Sequence, residues 1–324
     1  MGRARIPGLT LVLLLLGLVL FGVLLVRAGL GDVWEASRAA GPGLLLILIA
    51  PLPYFLLHTW AWLLLMPGAR PSFGTALHAY VAAQALDELG GGVLGEPLKV
   101  LVVPGDDRRR GIAAVTLDNL SLLVSLVLVL VLGGILMSMP GMRSLSTQRI
   151  IPAFLIVFGV GAALAVALLV GPGRLGAWLS HRFPGGRVAA FIAGHRDVAE
   201  TNRTFLTQHP DRFALGTLLH TLAKICIVGE MGLTLAVLGL YHPETAVWLG
   251  FGKLAAMVVT APVPAQVGAL DGALAWIGES MGLAAPAAMA VALLRRARSL
   301  AWIAIGLGLA TRIRGKQPPL SPKT

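Results

Sequence analysis

Three arginines, Arg295, Arg296 and Arg298, stand in LLRRARSL, in the middle of an apolar stretch from Leu283 to Ala310. Neither half of that stretch reaches the roughly 20 apolar residues a bilayer crossing needs, so the arginines are expected at membrane depth. A charge there costs at least about 2.5 kcal/mol on insertion scales, and it is kept where it faces a protein interior, a wet cavity or a charged ligand. On a helix, Arg295 and Arg298 share a face at i, i+3 spacing, while Arg296 points about 100 degrees away. Two guanidinium groups on one face can grip a phosphate through bidentate hydrogen bonds. The same triplet can instead be neutralised by Asp271, Glu279, Asp118 or Glu230, or can snorkel to an interface. Spacing leaves these readings open.

A second group lies upstream, where Gly90, Gly91, Gly92 and Gly95 precede Glu96 and Lys99 in GGGVLGEPLK. Glycine permits close backbone approach, or a broken helix whose amide groups face an anion. Glu96 and Lys99 are also i, i+3 neighbours on a helix and can satisfy one another. Asp118 with Asn119, and Lys224 with Glu230, stand in later apolar runs as candidates for a polar site at depth or for plain internal pairing. Pro264, Gly268 and Asp271 echo the first loop: GGVLGE at Gly91 to Glu96 is answered by PAQVGALD at Pro264 to Asp271.

Other chemistries lack their residues. Histidines at 58, 78, 181, 195, 209, 220 and 242 form no HExxH helix, and no GxxxxGK phosphate loop is present. Cys226 is the single cysteine, which excludes an intrachain disulfide and a cysteine-rich metal site. Neither a metal nor a cofactor is expected. Hydrophobic residues make up 56% of the chain and charged ones 13%, with a mean hydropathy of +0.83. Soluble domains carry roughly 25% charged residues, so this composition is that of a polytopic helical membrane protein. The net charge of +11 would point to nucleic acid in a soluble protein. Here the basic residues fall mostly in short loops, where they set topology, and nucleic acid is not an expected partner.

The elements that must position these residues follow from the apolar runs. Ile6 to Val26, behind Arg3 and Arg5, is longer than the core of a signal peptide and is expected to span with the N-terminus in the cytoplasm. A short amphipathic piece with Trp34 and Glu35 leads to a run from Gly43 to Met66 that Pro51 and Pro53 should kink. Phe73 to Val103 holds Asp87, Glu88, the glycines, Glu96 and Lys99 between two apolar pieces, as in a broken hairpin that enters and returns on one side. Crossings are expected at Ile112 to Met139, Ile150 to Val170 and Phe213 to Leu240, with surface helices between Pro172 and Pro210. Ala246 to Gly282 repeats the broken pattern around Thr260 to Pro264, and Leu283 to Ala310 closes the fold.

Six crossings with two such hairpins put both termini in the cytoplasm. Sixteen lysines and arginines then fall inside against four outside, in accord with the positive-inside rule. The layout opens the two hairpins to opposite sides, each followed by a long span, which is the pattern of an inverted repeat with a carrier site near the midplane. The expected fold is therefore all-α: one membrane domain over residues 1–324, with repeat cores at 73–139 and 244–310 and a cytoplasmic amphipathic linker at 172–210.

These residues resemble the flippase-like membrane domain of lysylphosphatidylglycerol synthases and its stand-alone relatives. The family pattern P-G-x-x-G-E-x-x-R is matched by Gly92, Gly95 and Glu96, with a glycine of the Gly90–Gly91 pair for the proline and Lys99 for the arginine. The pattern P-G-G-x-G-x-x-E is matched by Pro264, Gly268 and Asp271, with Ala265 and Gln266 in place of two glycines. The segment APAAMAVALLRRARSL is most similar to the branch associated with hopanoid biosynthesis. The resemblance implies translocation of a polar-headgroup lipid between leaflets of a bacterial inner membrane, and no enzyme. No soluble synthase domain follows before Thr324, so aminoacyl transfer is not expected. The alternatives are a lipid-modifying enzyme, which needs Asp118, His220 and Glu230 to converge, and a scaffold for lipid-synthesis enzymes. The expected partners are a lipid substrate and such enzymes, with the oligomeric state open.

Overall fold

The computed structural model describes residues 8–90, 94–104, 108–139, 159, 196–260 and 263–314, and among these every regular element is helical. The expected crossing at Ile150 to Val170, Gly92 and most of the 172–210 linker lie outside the described residues. In chain order the helices are α1 (Gly8–Ala28), α2 (Leu30–Arg38), α3 (Leu44–Ile49), α4 (Leu52–Leu65), α5 (Phe73–Gly90) and α6 (Glu96–Leu101). They continue with α7 (Arg108–Ser138), α8 (Arg196–Gln208), α9 (Pro210–Val237), α10 (Pro243–Thr260), α11 (Ala269–Ser280) and α12 (Ala285–Arg314).

Proline and glycine punctuate the chain where their backbone chemistry requires. Pro51 and Pro53 interrupt the second apolar run, so α3 ends at Ile49 and α4 restarts with proline in its first turn, where a missing N–H is harmless. Gly29, at φ 81, separates α1 from α2, and the pair bends by 84°. Among the described residues, three helical stretches are long and apolar enough to cross a bilayer: Gly41–Leu65, Arg109–Ser138 and Pro210–Val237, or four if the bent α1–α2 pair counts. At 31 residues, α7 spans roughly 45 Å, more than the hydrocarbon thickness.

Packing uses small residues to bring backbones close, as membrane helices do where lipid is as apolar as leucine. A Cβ on Gly306 of α12 would lie 2.6 Å from the Val81 carbonyl oxygen of α5, and one on Gly133 of α7 would lie 2.5 Å from the Phe251 ring of α10. α4 lies along α9, and Arg212 of α9 donates to the carbonyls of Leu64 and Met66, satisfying the C-terminal end of α4. One core gathers Met231, Leu235, Trp248, Leu249, Leu270 and Leu274 from α9, α10 and α11, and a second gathers Phe55, Trp62, Ala79 and Tyr80 from α4 and α5. Outside these cores the chain shows its apolar side chains: Leu15, Leu16, Val19 and Val26 of α1 are all exposed, as a lipid-facing surface requires.

Both broken hairpins are present. α5 has 18 residues, breaks at the glycine loop and returns as the six-residue α6. α10 also has 18 residues, breaks across Pro264–Gln266 and returns as the 12-residue α11. A helix of 31 residues follows the first hairpin and one of 30 the second.

Candidate functional site

Each hairpin is bolted to the long helix that follows it by a buried ion pair. In the second, Asp271 of α11 is completely buried and accepts from Arg295 at 2.6 Å and from Arg296 at 2.5 Å. In the first, Lys99 of α6 donates to Asp118 of α7 at 3.1 Å, with Asp118 equally buried. Asp118 lies ten residues beyond Arg108, where α7 begins, and Arg295 lies ten residues beyond Ala285, where α12 begins. The two bolts occupy the same register with opposite polarity.

The turn of the second hairpin explains Arg296. Ala265 and Gln266 have φ of 51 and 50, a left-handed conformation that costs a residue with a Cβ roughly 1–2 kcal/mol. These are the two positions where the resembled pattern carries glycine. Arg296 donates to both strained carbonyls, at 2.8 Å to Ala265 and 3.2 Å to Gln266, while the Gln266 amide donates to the Met257 carbonyl near the end of α10. Gly268, at φ 72, starts α11, and the Asp271 carboxylate accepts from its N–H at 3.0 Å. Arg296 is thus a clamp on the turn and is not directed at a ligand.

Arg295 and Arg298 face a cavity of about 210 Å³ enclosed by the N-terminal part of α4, α5, α9, α10, the Pro264–Gln266 turn and α12. Arg298 donates to Glu230 of α9 at 2.5 Å, and Lys253 of α10 reaches the same carboxylate oxygen at 3.4 Å. The second oxygen of Glu230 has no partner among the described residues, nor does Nε of Arg295 or Arg298. Asp87 and Glu88 of α5 also line the cavity. Asp87 accepts from the Gly95 N–H at 2.7 Å and so ties the glycine loop to α5. A Cβ on Gly95 would lie 2.0 Å from the Ala83 carbonyl oxygen, so only glycine fits where α6 folds back. Tyr54, Phe55, Met257, Leu270 and Trp302 supply an apolar remainder. The cavity is therefore lined by Lys253, Arg295 and Arg298 with Glu230 set among them, and by the carboxylates Asp87 and Glu88 of α5.

The other predicted residues disperse. Glu96 pairs with Lys99 at 3.0 Å, as their i, i+3 spacing foretold, and Lys99 then bridges to Asp118. Lys224 donates to Ser125 Oγ at 2.6 Å and to the Leu122 carbonyl, away from Glu230. Asn119 and Glu279 are exposed and join neither cluster, since Asn119 points about 100 degrees from Asp118 on α7 and Glu279 lies two turns beyond Asp271 near the end of α11. Pro264 is buried in the turn. Of the carboxylates considered as neutralisers of the arginines, Asp271 and Glu230 serve, while Asp118 serves Lys99. Asp118 and His220 do meet, at 2.9 Å, but Glu230 is bound to Arg298 and Lys253, so the three do not converge. Sequence reasoning passed over Lys253, His58 and Tyr54. The available signal for Lys253 was a solitary lysine inside an apolar hairpin arm.

The family described as Lysylphosphatidylglycerol synthase TM region matches residues 10–308. The chain belongs to this family. No curated relative and no solved structure matches it. Family membership makes the chain a multi-pass membrane protein related to lipid handling, and the matched span of the lysylphosphatidylglycerol synthase TM region includes both hairpins, both bolts and the whole cavity.

Proposed function

We propose that this chain carries a polar-headgroup lipid, such as a phospholipid or a hopanoid-type lipid, between the leaflets of a bacterial inner membrane. One observation carries the reading: a charged cavity of about 210 Å³ lies between the two broken hairpins in a protein otherwise built to face lipid. That volume equals about seven waters, enough for a headgroup while the tails remain in the bilayer. Lys253, Arg295 and Arg298 suit a phosphate and Asp87 and Glu88 suit an ammonium or a donor hydroxyl, so a headgroup bearing both is best complemented. Matching bolts in α7 and α12, and the reciprocal packing of α12 on α5 and α7 on α10, support an inverted repeat in which the hairpins alternate access. In this reading both termini are cytoplasmic and lipid-synthesis enzymes supply the cargo. A carrier is favoured over an enzyme because the second nitrogen of His220 faces another imidazole and not a nucleophilic hydroxyl.

Reconstitution into liposomes with a leaflet-resolved lipid assay tests the proposal. Arg298→Ala and Glu88→Gln are expected to slow movement of a zwitterionic lipid at least about tenfold, the effect of losing one charge-assisted contact. Parent-like movement by both variants would exclude the cavity as the site. Formation of a covalently altered lipid on incubation with a cell lipid extract would replace the carrier reading with an enzyme.

A further inference from the structure

The bolt of the first hairpin continues into a chain of contacts that lipid binding does not use. Between α4 and α9, the Nδ1 atoms of His58 and His220 face each other at 2.5 Å. Two imidazole nitrogens in such contact share one proton, so one donates and the other accepts. His220 Nε2 lies 2.9 Å from Asp118 Oδ1, an ionised carboxylate that only accepts, and therefore carries its proton there. His220 Nδ1 is then the acceptor and His58 Nδ1–H the donor, an assignment made by the network of partners. What remains is His58 Nε2, a basic lone pair on a side chain 1% exposed, with no hydrogen-bond partner among the described residues. A buried basic nitrogen left open is costly unless something binds it.

The surroundings are aromatic on one side and charged on the other. Tyr80 of α5 stacks on the His58 ring at 5.5 Å, and Tyr54, one turn earlier on α4, meets it edge-on at 4.3 Å. Tyr54 also lines the cavity and donates to Gln84 Oε1 at 3.4 Å, so one side chain separates His58 from the headgroup space. Lys99 and Glu96 approach from α6, Asp118 from α7 and Lys224 from α9. Lys99 is paired with Glu96 and Asp118, Lys224 is held by Ser125 and the Leu122 carbonyl, and the charge of both lysines opposes an added proton on the ring. On the cavity side of Tyr54 stand Asp87 and Glu88 of α5 and Arg298 of α12.

We propose that His58 Nε2 binds one exchangeable proton and that this proton couples lipid movement to a proton gradient, a step that rests on the carrier reading above. An N–H bond forms at His58 Nε2 with a proton from water while the cavity is open to one side, and it breaks when the proton returns to water on the other. No other bond changes. The imidazolium keeps donating through Nδ1 to His220, which donates to Asp118, so the new proton extends a chain that ends on a carboxylate shared with Lys99. α4 and α9 are the helices ahead of the two hairpins, and a charge at their contact acts where the halves join.

Proteoliposomes with a pH gradient and a clamped membrane potential test the coupling. At one proton per lipid, one pH unit sustains a leaflet ratio of at most about ten, reversed when the gradient is inverted. His58→Gln is expected to move lipid only to equal distribution. A gradient-indifferent parent, or a gradient-responsive His58→Gln, would overturn the proposal. Nitrogen NMR of the histidine rings in detergent reads the proton site without transport. The parent should show one ring of the pair becoming imidazolium on acidification while the fold is retained, with the signals identified by their loss in His58→Gln; a pair neutral until the fold is lost overturns the site. If lipid moves under no condition, the carrier reading and the coupling fail together, and the NMR titration still decides the proton site.

Discussion

Replacing Asp271 by asparagine removes the carboxylate that pairs with Arg295 and Arg296 while keeping the volume of the side chain. Asp271 is completely buried and accepts three hydrogen bonds: from Arg295 at 2.6 Å, from Arg296 at 2.5 Å and from the Gly268 N–H at 3.0 Å. An amide has one acceptor oxygen and two donors, so if its oxygen keeps Arg296 and Gly268, its NH₂ group points at Arg295, donor against donor. Breaking a buried pair by removing one partner costs about 3–5 kcal/mol, because the remaining charge is left unpaired. Arg295 borders the cavity and can turn towards it, which favours the lower end, about 3 kcal/mol. At about 2–4 °C per kcal/mol, the melting temperature in detergent should fall by roughly 10 °C, followed by loss of helical circular dichroism. Arg295→Gln in the same background should recover part of the loss, with a coupling of about 1–3 kcal/mol. A melting temperature within about 2 °C of the parent, or simple additivity in the double variant, would refute the assignment of Asp271 as the bolt of the second hairpin.

Three further outcomes follow from the same geometry. Ala265→Gly relieves one left-handed residue and should stabilise the protein by up to about 1 kcal/mol, read as a melting temperature a few degrees higher; a destabilised variant would mean that the turn is not strained there. Gly95→Ala places a Cβ 2.0 Å from the Ala83 carbonyl oxygen and should cost about 3 kcal/mol or more, with protease cleavage appearing in the glycine loop as α6 separates from α5. Glu230→Gln leaves Lys253 and Arg298 facing each other across a neutral amide, and should lower both thermal stability and lipid movement, while Glu230→Asp should restore part of each.

The class of the molecule and the places where its helices break were written in the sequence. Long apolar runs can only be satisfied as helices in lipid. Prolines at 51, 53 and 264 and glycines at 95 and 268 mark interruptions because one lacks an N–H and the other a Cβ. Contacts within one helical turn were equally legible, and the Glu96–Lys99 pair is an example. Partners across helices were not. Asp271 is 24 residues from Arg295, Glu230 is 23 from Lys253 and Asp118 is 102 from His220. Which of these meet depends on how each helix is rotated about its own axis. In a soluble protein an apolar stripe reports that rotation, but α7, α9 and α12 are apolar nearly all round, facing protein on one side and lipid on the other, so periodicity carries little orientation. Charge type and the apolar run that holds each charge could be read from the chain alone. Only the packing, through Gly133, Gly216 and Gly306 and the turns between helices, decided that the arginines meet Asp271 and Glu230 and that His58 meets His220.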